Sequence, residues 1–170
     1  MLKKEDLIKL LESLSLSFEE HLHEPLFSVD ESSEKRGMIE GAHTKNLFLK
    51  NKKSQFFLLS CCEDSSVDLK KFAKSLTIGN LSFAKKEYME KYLGVLPGSV
   101  SPYALINDKS NCVSFYIEDK LYNSKKINFH PLINTSTLTT FTKSFVQFMI
   151  ENNKKIHIYN LKDYNLVKSI

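Results

Sequence analysis

The sequence predicts an α/β protein of the α+β type, with a mixed, largely antiparallel sheet and helices packed around it. Helical and strand patterns are intermixed along the chain, and they do not alternate regularly as in a doubly wound parallel fold. Polar turn residues separate neighbouring strand patterns, which is typical of hairpins. The 170 residues are enough for one domain with its own core. We therefore expect residues 1–170 to form a single domain.

Helices are predicted where apolar residues recur every three or four positions. In residues 4–15 Leu7, Leu10, Leu11 and Leu14 fall on one helical face, and charged residues stand between them. The same spacing predicts three further helices, over residues 68–76, 85–93 and 142–152.

Strands are predicted where short apolar or β-branched runs stand between polar turns. Residues 47–49 and 55–59 flank a polar stretch, so they form a predicted hairpin. Pro25 disfavours helix before it, and the segment around His21 and His23 is therefore expected to be an irregular strand or loop. Four more strands are predicted, over residues 103–106, 112–117, 135–140 and 155–159.

The composition is that of an ordinary soluble globular protein, with 42% hydrophobic and 26% charged residues. No apolar run approaches the ~20 residues that span a bilayer, and acidic residues come too early for a secretory signal. We expect a cytoplasmic protein without a membrane partner. The formal net charge of +4 is mildly basic. Clustered lysines are consistent with either a solvated surface or a few RNA phosphate contacts.

The three cysteines, Cys61, Cys62 and Cys112, do not suggest a disulfide framework, because their number is odd and two are adjacent. No spacing of His or Cys matches a zinc site, so no metal and no cofactor is predicted. Free core thiols are favoured over a nucleophilic cysteine.

Residues 41–50 (GAHTKNLFLK) place a lysine and an amide just before an alternating apolar run. A lysine at the start of a strand can direct its ammonium into a cleft, where it can bind a phosphate or polarise a carbonyl. By spacing alone a surface lysine is favoured, at about three to one. Lys45 and its neighbour Asn46 are nevertheless the first candidate site residues.

Residues 94–102 (GVLPGSVSP) hold two glycines and two prolines, which exclude regular helix or central strand. Such a loop can present backbone N–H groups to a developing oxyanion. A structural turn is the better interpretation of this loop taken alone. Gly98, Ser99 and Ser101 are its candidate site residues.

Residues 128–134 (NFHPLIN) place one histidine before a proline. A lone histidine is more often structural than catalytic. A free imidazole titrates near neutrality, however, so acid–base chemistry is available to a residue such as His130.

These three segments, in this order, resemble the YbaK/ProX family of aminoacyl-tRNA editing domains. The resemblance spans most of the chain and is strongest to free-standing members that deacylate Ala-tRNA(Pro). Asn51 and Tyr103 stand where related sequences often have Asp and Phe.

The resemblance implies a metal-independent hydrolase that removes alanine from mischarged tRNA(Pro) in trans. It implies catalytic roles for Lys45, His130 and Gly98: Lys45 anchors the terminal nucleotide or carbonyl, the loop of Gly98 stabilises the oxyanion, and His130 helps to orient water. The implied substrate-binding residues lie in the three segments and in a nearby apolar stretch: Asn46, Leu26, Phe27, Val29, Ser99 and Ser101.

Three alternatives remain open at the level of sequence. Cys-tRNA(Pro) could be the substrate, because pocket volume barely separates cysteine from alanine. The chain could be a non-catalytic module that binds tRNA or a synthetase, or it could hydrolyse another small acyl ester or amide. The expected partners are Ala-tRNA(Pro) and prolyl-tRNA synthetase, and a monomer is favoured.

Overall fold

A computed structural model describes residues 1–25 and 39–170 of the chain, and its strands form two sheets. The strands of the described residues are β1 (Phe18–Leu22), β2 (Thr44–Asn51), β3 (Phe56–Cys62), β4 (Leu81–Phe83), β5 (Val113–Glu118), β6 (Lys126–Phe129), β7 (Ser136–Phe141), β8 (Ile156–Asn160) and β9 (Asn165–Ser169). The helices are α1 (Lys4–Ser13), α2 (Leu69–Ser75), α3 (Lys86–Tyr88), α4 (Asp119–Tyr122) and α5 (Thr142–Glu151).

The larger sheet has the strand order β4–β2–β3–β5–β8–β9. The β2–β3 hairpin is antiparallel, and β4 and β9 are antiparallel edge strands. The two central pairs, β3–β5 and β5–β8, are parallel. The smaller sheet has the order β1–β7–β6 and is antiparallel throughout. The prediction of a mixed, largely antiparallel sheet with helices around it is therefore confirmed.

Alternate residues of the large sheet pack into two apolar clusters on its opposite faces. In β2, for example, Phe48 belongs to one cluster and Leu49 to the other. This follows from the period of two by which side chains alternate along a strand. The first cluster also takes in α1, α5 and the inner face of the small sheet, and the second is closed by Phe72 of α2. The two clusters hold β2 and β3 rigidly between them.

Hydrogen bonds join the two sheets where β2 begins. Ala42 forms an isolated parallel bridge with Ile127 of β6. The hydroxyl of Thr44 donates to the carbonyl of Asn128 at 2.7 Å. The start of β2 and the end of β6 are therefore fixed next to each other.

Most of the predicted elements are present with small shifts at their ends, including the hairpin and the helices at residues 4–15, 68–76 and 142–152. The predicted helix over residues 85–93 is a short α-turn that continues as a π-helical turn at Met89–Leu93. Gly94 ends it with φ of +67°. The strand predicted over residues 103–106 is wrong, because Pro102–Asn107 is a 3₁₀ helix capped by Ser101. The segment around His21 is a regular strand, β1.

Among the described residues, no helix is long and apolar enough to cross a membrane.

Candidate functional site

Lys45 lies at the start of β2, half-buried, opposite Cys61 of β3. Its Nζ donates a hydrogen bond to the backbone carbonyl of Ser65, in the turn after β3. Within the described residues this is the one hydrogen bond of its ammonium. A lysine ammonium has three N–H donors. It can therefore make further bonds to a phosphate or carbonyl oxygen from this anchored position.

A buried carboxylate fixes the turn whose Ser65 carbonyl accepts the hydrogen bond from Lys45. Glu118, at the end of β5, is 5% exposed. It accepts a hydrogen bond from the backbone N–H of Cys62 at 2.8 Å and from the hydroxyl of Ser65 at 2.7 and 2.8 Å. The ends of the parallel neighbours β3 and β5 thereby fix the carbonyl to which Lys45 donates. Neither Glu118 nor Ser65 stood out in the sequence.

The side chain of Asn46 lies on the face of the sheet opposite to that of Lys45, as expected for consecutive strand residues. Its side-chain oxygen accepts a hydrogen bond of 2.6 Å from the hydroxyl of Ser60, its partner on β3. The structure thus does not bring the side chains of Lys45 and Asn46 together. Asn46 instead shares its face with Thr44, which contacts β6.

His130 follows β6 directly and is tied to β7. Its Nδ1 lies 2.7 Å from the backbone carbonyl of Ser136, so this nitrogen donates and the neutral ring has its acceptor at Nε2. The ring centroid of His23 lies 5.9 Å away, and Nε2 of His23 is 2.9 Å from the hydroxyl of Thr137. Two imidazoles therefore stand side by side at the end of the small sheet.

The face of the small sheet that carries these histidines is polar and largely buried. Thr139 and Asn128 are 4% and 3% exposed. The hydroxyl of Thr139 donates to the side-chain oxygen of Asn128 at 2.5 Å, and Nε2 of His21 lies 3.1 Å from the same hydroxyl. Buried polar groups cost free energy unless they are hydrogen-bonded. This network therefore rigidifies the strand that leads to His130.

The sequence contained a signal for this polar face that the prediction did not use. Glu19, His21 and His23 alternate with period two, and so do Thr137 and Thr139. Pairing of β1 with β7 places the two series on one face. Had residues 18–22 been predicted as a regular strand, the alternation would have placed these polar side chains on one face.

The loop at residues 94–102 is shaped by two left-handed glycines, Gly94 and Gly98, at φ of +67° and +86°. Ser99 is buried, and its N–H donates to the carbonyl of Leu96 at 3.0 Å. Ser101 is fully buried, and its hydroxyl accepts from the N–H of Tyr103 at 3.3 Å. Ser101 therefore has a structural role as a helix cap, and the binding role predicted for it from sequence stays a prediction.

This loop borders a cleft of about 340 Å³. Its other walls are the start of α1 and the chain just after His130. The lining residues are Lys3, Lys4, Glu5, Gly94, Val95, Leu96, Ser99, Leu132, Ile133 and Asn134. The structure thus brings Ser99 and the His130 segment together at one cleft. Lys45, Gly98 and Ser101 are not among its lining residues.

Three of the predicted substrate-binding residues, Leu26, Phe27 and Val29, lie outside the described residues. Among the residues that the structure describes, no group of three or more His, Cys, Asp or Glu side chains could hold a metal ion.

The cysteines next to Lys45 are poor nucleophiles. Burial raises the pKa of Cys61 to about 12 and that of Cys62 to about 11. The thiolate is the reactive form, and little of it exists at neutral pH. Cys112, in contrast, is exposed, so the expectation of three core thiols is wrong for this residue.

Comparison with known proteins decides the family. The model of the aminoacyl-tRNA editing domain matches residues 23–148, which covers all three segments of the site. This chain belongs to the aminoacyl-tRNA editing domain family. The editing domain is 36% identical over 132 residues to prolyl-tRNA synthetase associated domain-containing protein 1 of Xenopus laevis, covering 75% of this chain and 78% of that protein.

A second relative and a solved structure are also similar to the editing domain. It is 29% identical over 138 residues to the prolyl-tRNA editing protein ProX of Acetoanaerobium sticklandii, covering 79% of this chain and 83% of the relative. A solved structure of a candidate trans-editing enzyme for prolyl tRNA synthetase aligns with a TM-score of 0.66 at 17% identity, over 93% of this chain and 97% of that one. The editing domain is thus related to a prolyl-tRNA editing protein and shares its fold with that solved structure.

Proposed function

We propose that this editing domain hydrolyses the ester between alanine and tRNA(Pro), in trans and without a metal. The observation that carries the proposal is the anchored ammonium of Lys45 within a domain of the editing family. A relative named as a prolyl-tRNA editing protein supports the choice of tRNA(Pro).

The need for such an activity follows from the limits of binding discrimination. A synthetase site shaped for proline cannot strongly reject a smaller side chain, because a missing methylene is worth only ~1–3 kcal/mol. A second site that admits alanine and excludes proline removes the error. Leu26, Phe27 and Val29, with Ser99 and Ser101, are the proposed walls of that second site, and Asn46 is a proposed polar contact.

In the proposed reaction the protein binds the substrate, stabilises the oxyanion and positions the water. Lys45 binds the terminal nucleotide or the ester carbonyl through its remaining N–H donors. Water adds to the carbonyl carbon, and backbone N–H groups of the loop at Gly98 stabilise the oxyanion that forms. His130, whose ring is oriented by the carbonyl of Ser136, positions the water. The C–O bond to the ribose then breaks, and the ribose oxygen leaves with a proton.

We further propose that the chain acts in the cytoplasm as a monomeric single domain, residues 1–170. Its partners are Ala-tRNA(Pro) and prolyl-tRNA synthetase. Two relatives support the second partner, since their names associate them with prolyl-tRNA synthetase and prolyl-tRNA editing.

The test is deacylation of Ala-, Cys- and Pro-tRNA(Pro) by the wild type, Lys45→Ala and Lys70→Ala. Lys70 is an exposed lysine on α2 and controls for the loss of one charge. We expect alanine alone to be removed, with the rate falling on the order of a hundredfold in Lys45→Ala and little in Lys70→Ala. Preferential release of cysteine would overturn the alanine specificity. No hydrolysis of any substrate would leave a non-catalytic tRNA-binding module as the better interpretation.

A further inference from the structure

A cluster of tyrosines and lysines lies at the turn end of the β2–β3 hairpin, the end opposite to Lys45. Tyr88 and Tyr92, four residues apart across α3 and the π-helical turn, both pack on Phe56, with ring centroids 5.0 and 4.5 Å from its own. The two tyrosine rings are nearly parallel, at an interplanar angle of 17°. Phe56 is buried, whereas the tyrosines are partly exposed. They therefore form a fixed aromatic shelf at the surface.

Two lysines cover this shelf. Nζ of Lys50 lies 4.7 Å from the ring centroid of Tyr88 and 3.3 Å from its hydroxyl. Nζ of Lys91 lies 5.0 Å from the ring centroid of Tyr92. Contact with an aromatic face holds each ammonium in place, although neither has an acidic partner within residues 1–25 and 39–170. We call Lys50, Tyr88, Lys91 and Tyr92 the tyrosine–lysine patch.

The charge around the patch is positive. Residues 45–62 contain no Asp or Glu, and Lys52 and Lys53 follow Lys50 after one residue. Residues 85–91 contain Lys85, Lys86 and Lys91 against Glu87 and Glu90, and Glu90 is paired with Lys86 at 3.5 Å. Among the described residues Lys50 and Lys91 have no salt-bridge partner, so the patch presents positive charge beside partly exposed aromatic rings. This combination is typical of surfaces that bind a nucleic-acid strand through its phosphates and bases.

The patch is connected to the proposed site through two elements. Lys50 lies four residues from Asn46 on the same face of β2, a separation of about 14 Å at ~3.4 Å per residue. A stacked nucleic-acid strand covers that distance in about four nucleotides. Tyr92 stands two residues before Gly94, where the loop of the candidate site begins. The side chain of Lys45 lies on the face of β2 opposite to that of Lys50. A strand whose 3′ ester lies at Lys45 therefore reaches the patch with its preceding phosphates by passing the edge of the sheet, where β4 pairs only with residues 49–51.

We propose that the tyrosine–lysine patch binds the RNA strand that carries the ester. Phosphates draw the ammonium groups of Lys50 and Lys91 off the rings, and bases then stack on Tyr88 and Tyr92. This inference rests on the proposed function, because it assumes that the ligand is a tRNA. The contacts would fix the approach of the acceptor end without reading its sequence, since phosphate contacts position a nucleic acid and base contacts specify it.

The test is binding of uncharged tRNA(Pro) transcript across a salt series, which requires no deacylation. The variants are Lys50→Ala/Lys91→Ala and, as a matched control, Lys70→Ala/Lys74→Ala. The control removes the same charge from exposed positions on α2. We expect the patch variant to bind about tenfold more weakly. Its slope of log affinity against log salt should fall by about 1.4 to 1.8, for two lost phosphate contacts, while the control keeps both values.

Equal losses in both double variants would overturn the proposal, because they would show that only net charge matters. Unchanged binding in the patch variant would overturn it too, including the case in which the variant instead loses binding to prolyl-tRNA synthetase. Because Lys50 is partly buried, Lys91→Ala alone serves if the double variant does not fold, with about half the change in slope. A wild type that binds the transcript at the patch but hydrolyses no ester would count against the proposed function alone.

Discussion

The carboxylate of Glu118 accepts both of its contacts to Ser65 from one hydroxyl, at 2.7 and 2.8 Å, and the backbone carbonyl of the same Ser65 receives the ammonium of Lys45. One residue thus joins a buried acid to the lysine of the proposed site. The acid does not contact the lysine in this arrangement. It determines where the lysine is held.

The first prediction concerns this arrangement. Glu118→Gln keeps the size of the side chain but removes its charge, so the hydrogen bonds from Cys62 and Ser65 become bonds to a neutral acceptor. A hydrogen bond to a charged group contributes about 1 kcal/mol more than a neutral one. We expect a lower free energy of unfolding, measured with urea, and a lower kcat on Ala-tRNA(Pro) with little change in KM.

Asp64→Asn is the matched control for this prediction. Asp64 lies in the same turn but is exposed and paired with Lys120 at 3.0 Å. Exposed ion pairs contribute little, so this variant should resemble the wild type in both measurements. A fall in stability without a fall in kcat for Glu118→Gln would show that Glu118 is structural only.

The second prediction compares two left-handed glycines. Gly94→Ala and Gly79→Ala both place a side chain at positive φ, +67° and +76°, which costs ~1–2 kcal/mol. Only at Gly94 would the new Cβ also meet other atoms, 2.8 Å from Nδ2 of Asn107 and 3.0 Å from Sδ of Met1. That amide donates to the carbonyl of Leu93 at 2.9 Å. We expect Gly94→Ala to lower the free energy of unfolding by at least about 1 kcal/mol more than Gly79→Ala. Equal losses of stability in the two variants would contradict a steric clash at Gly94.

The third prediction concerns thiol reactivity. Burial raises the pKa of Cys61 to about 12 and that of Cys62 to about 11, whereas Cys112 is exposed. Iodoacetamide at pH 8 should therefore modify one thiol in the folded chain and three in the denatured chain, as counted by mass spectrometry. Rapid labelling of Cys61 or Cys62 in the folded chain would contradict the packing described. It would instead support a nucleophilic cysteine in the site.

The fourth prediction concerns pH. Burial tends to raise the pKa of Glu20, but hydrogen bonds from Lys4 and Ser136 outweigh it and hold this pKa below its usual value of 4.5. A lowered pKa gives stability that is present above the unfolded value and is lost as the pH falls through the folded value. Glu20→Gln should thus be less stable than the wild type at pH 7, by at most about 1 kcal/mol.

That difference should shrink as the pH is lowered below 4.5. Urea unfolding of both proteins at several pH values measures it. A difference that stays constant down to acid pH would contradict the assigned pKa direction.

The sequence predicted the elements whose pattern is local. The β2–β3 hairpin and α5 were found because their apolar period and their turn residues are visible within a short window. The run at residues 103–106 was misassigned because a short, fully buried apolar stretch has no period that separates strand from helix. Its 3₁₀ geometry follows from Pro102 at the first helical position and the cap by Ser101.

The site was predictable only in part, for a similar reason. The segments of Lys45 and His130 could be singled out from residue type, and the roles of these residues stay predictions. The contact of Lys45 with Ser65 spans twenty residues, and that of Ser65 with Glu118 spans 53. Such contacts depend on the parallel pairing of β3 with β5, which no local pattern reveals.

The pairing of β1 with β7 has a consequence for synthesis on the ribosome. Phe18 pairs with Thr140, and the backbone of Leu2 is hydrogen-bonded to the side chain of Asn107. The amino-terminal segment therefore has no place to dock until most of the chain has been translated. Contacts so distant in sequence slow folding, and domains generally fold as units. In the nascent chain β1 should stay sensitive to protease until β7 has left the ribosome, although β1 is made first.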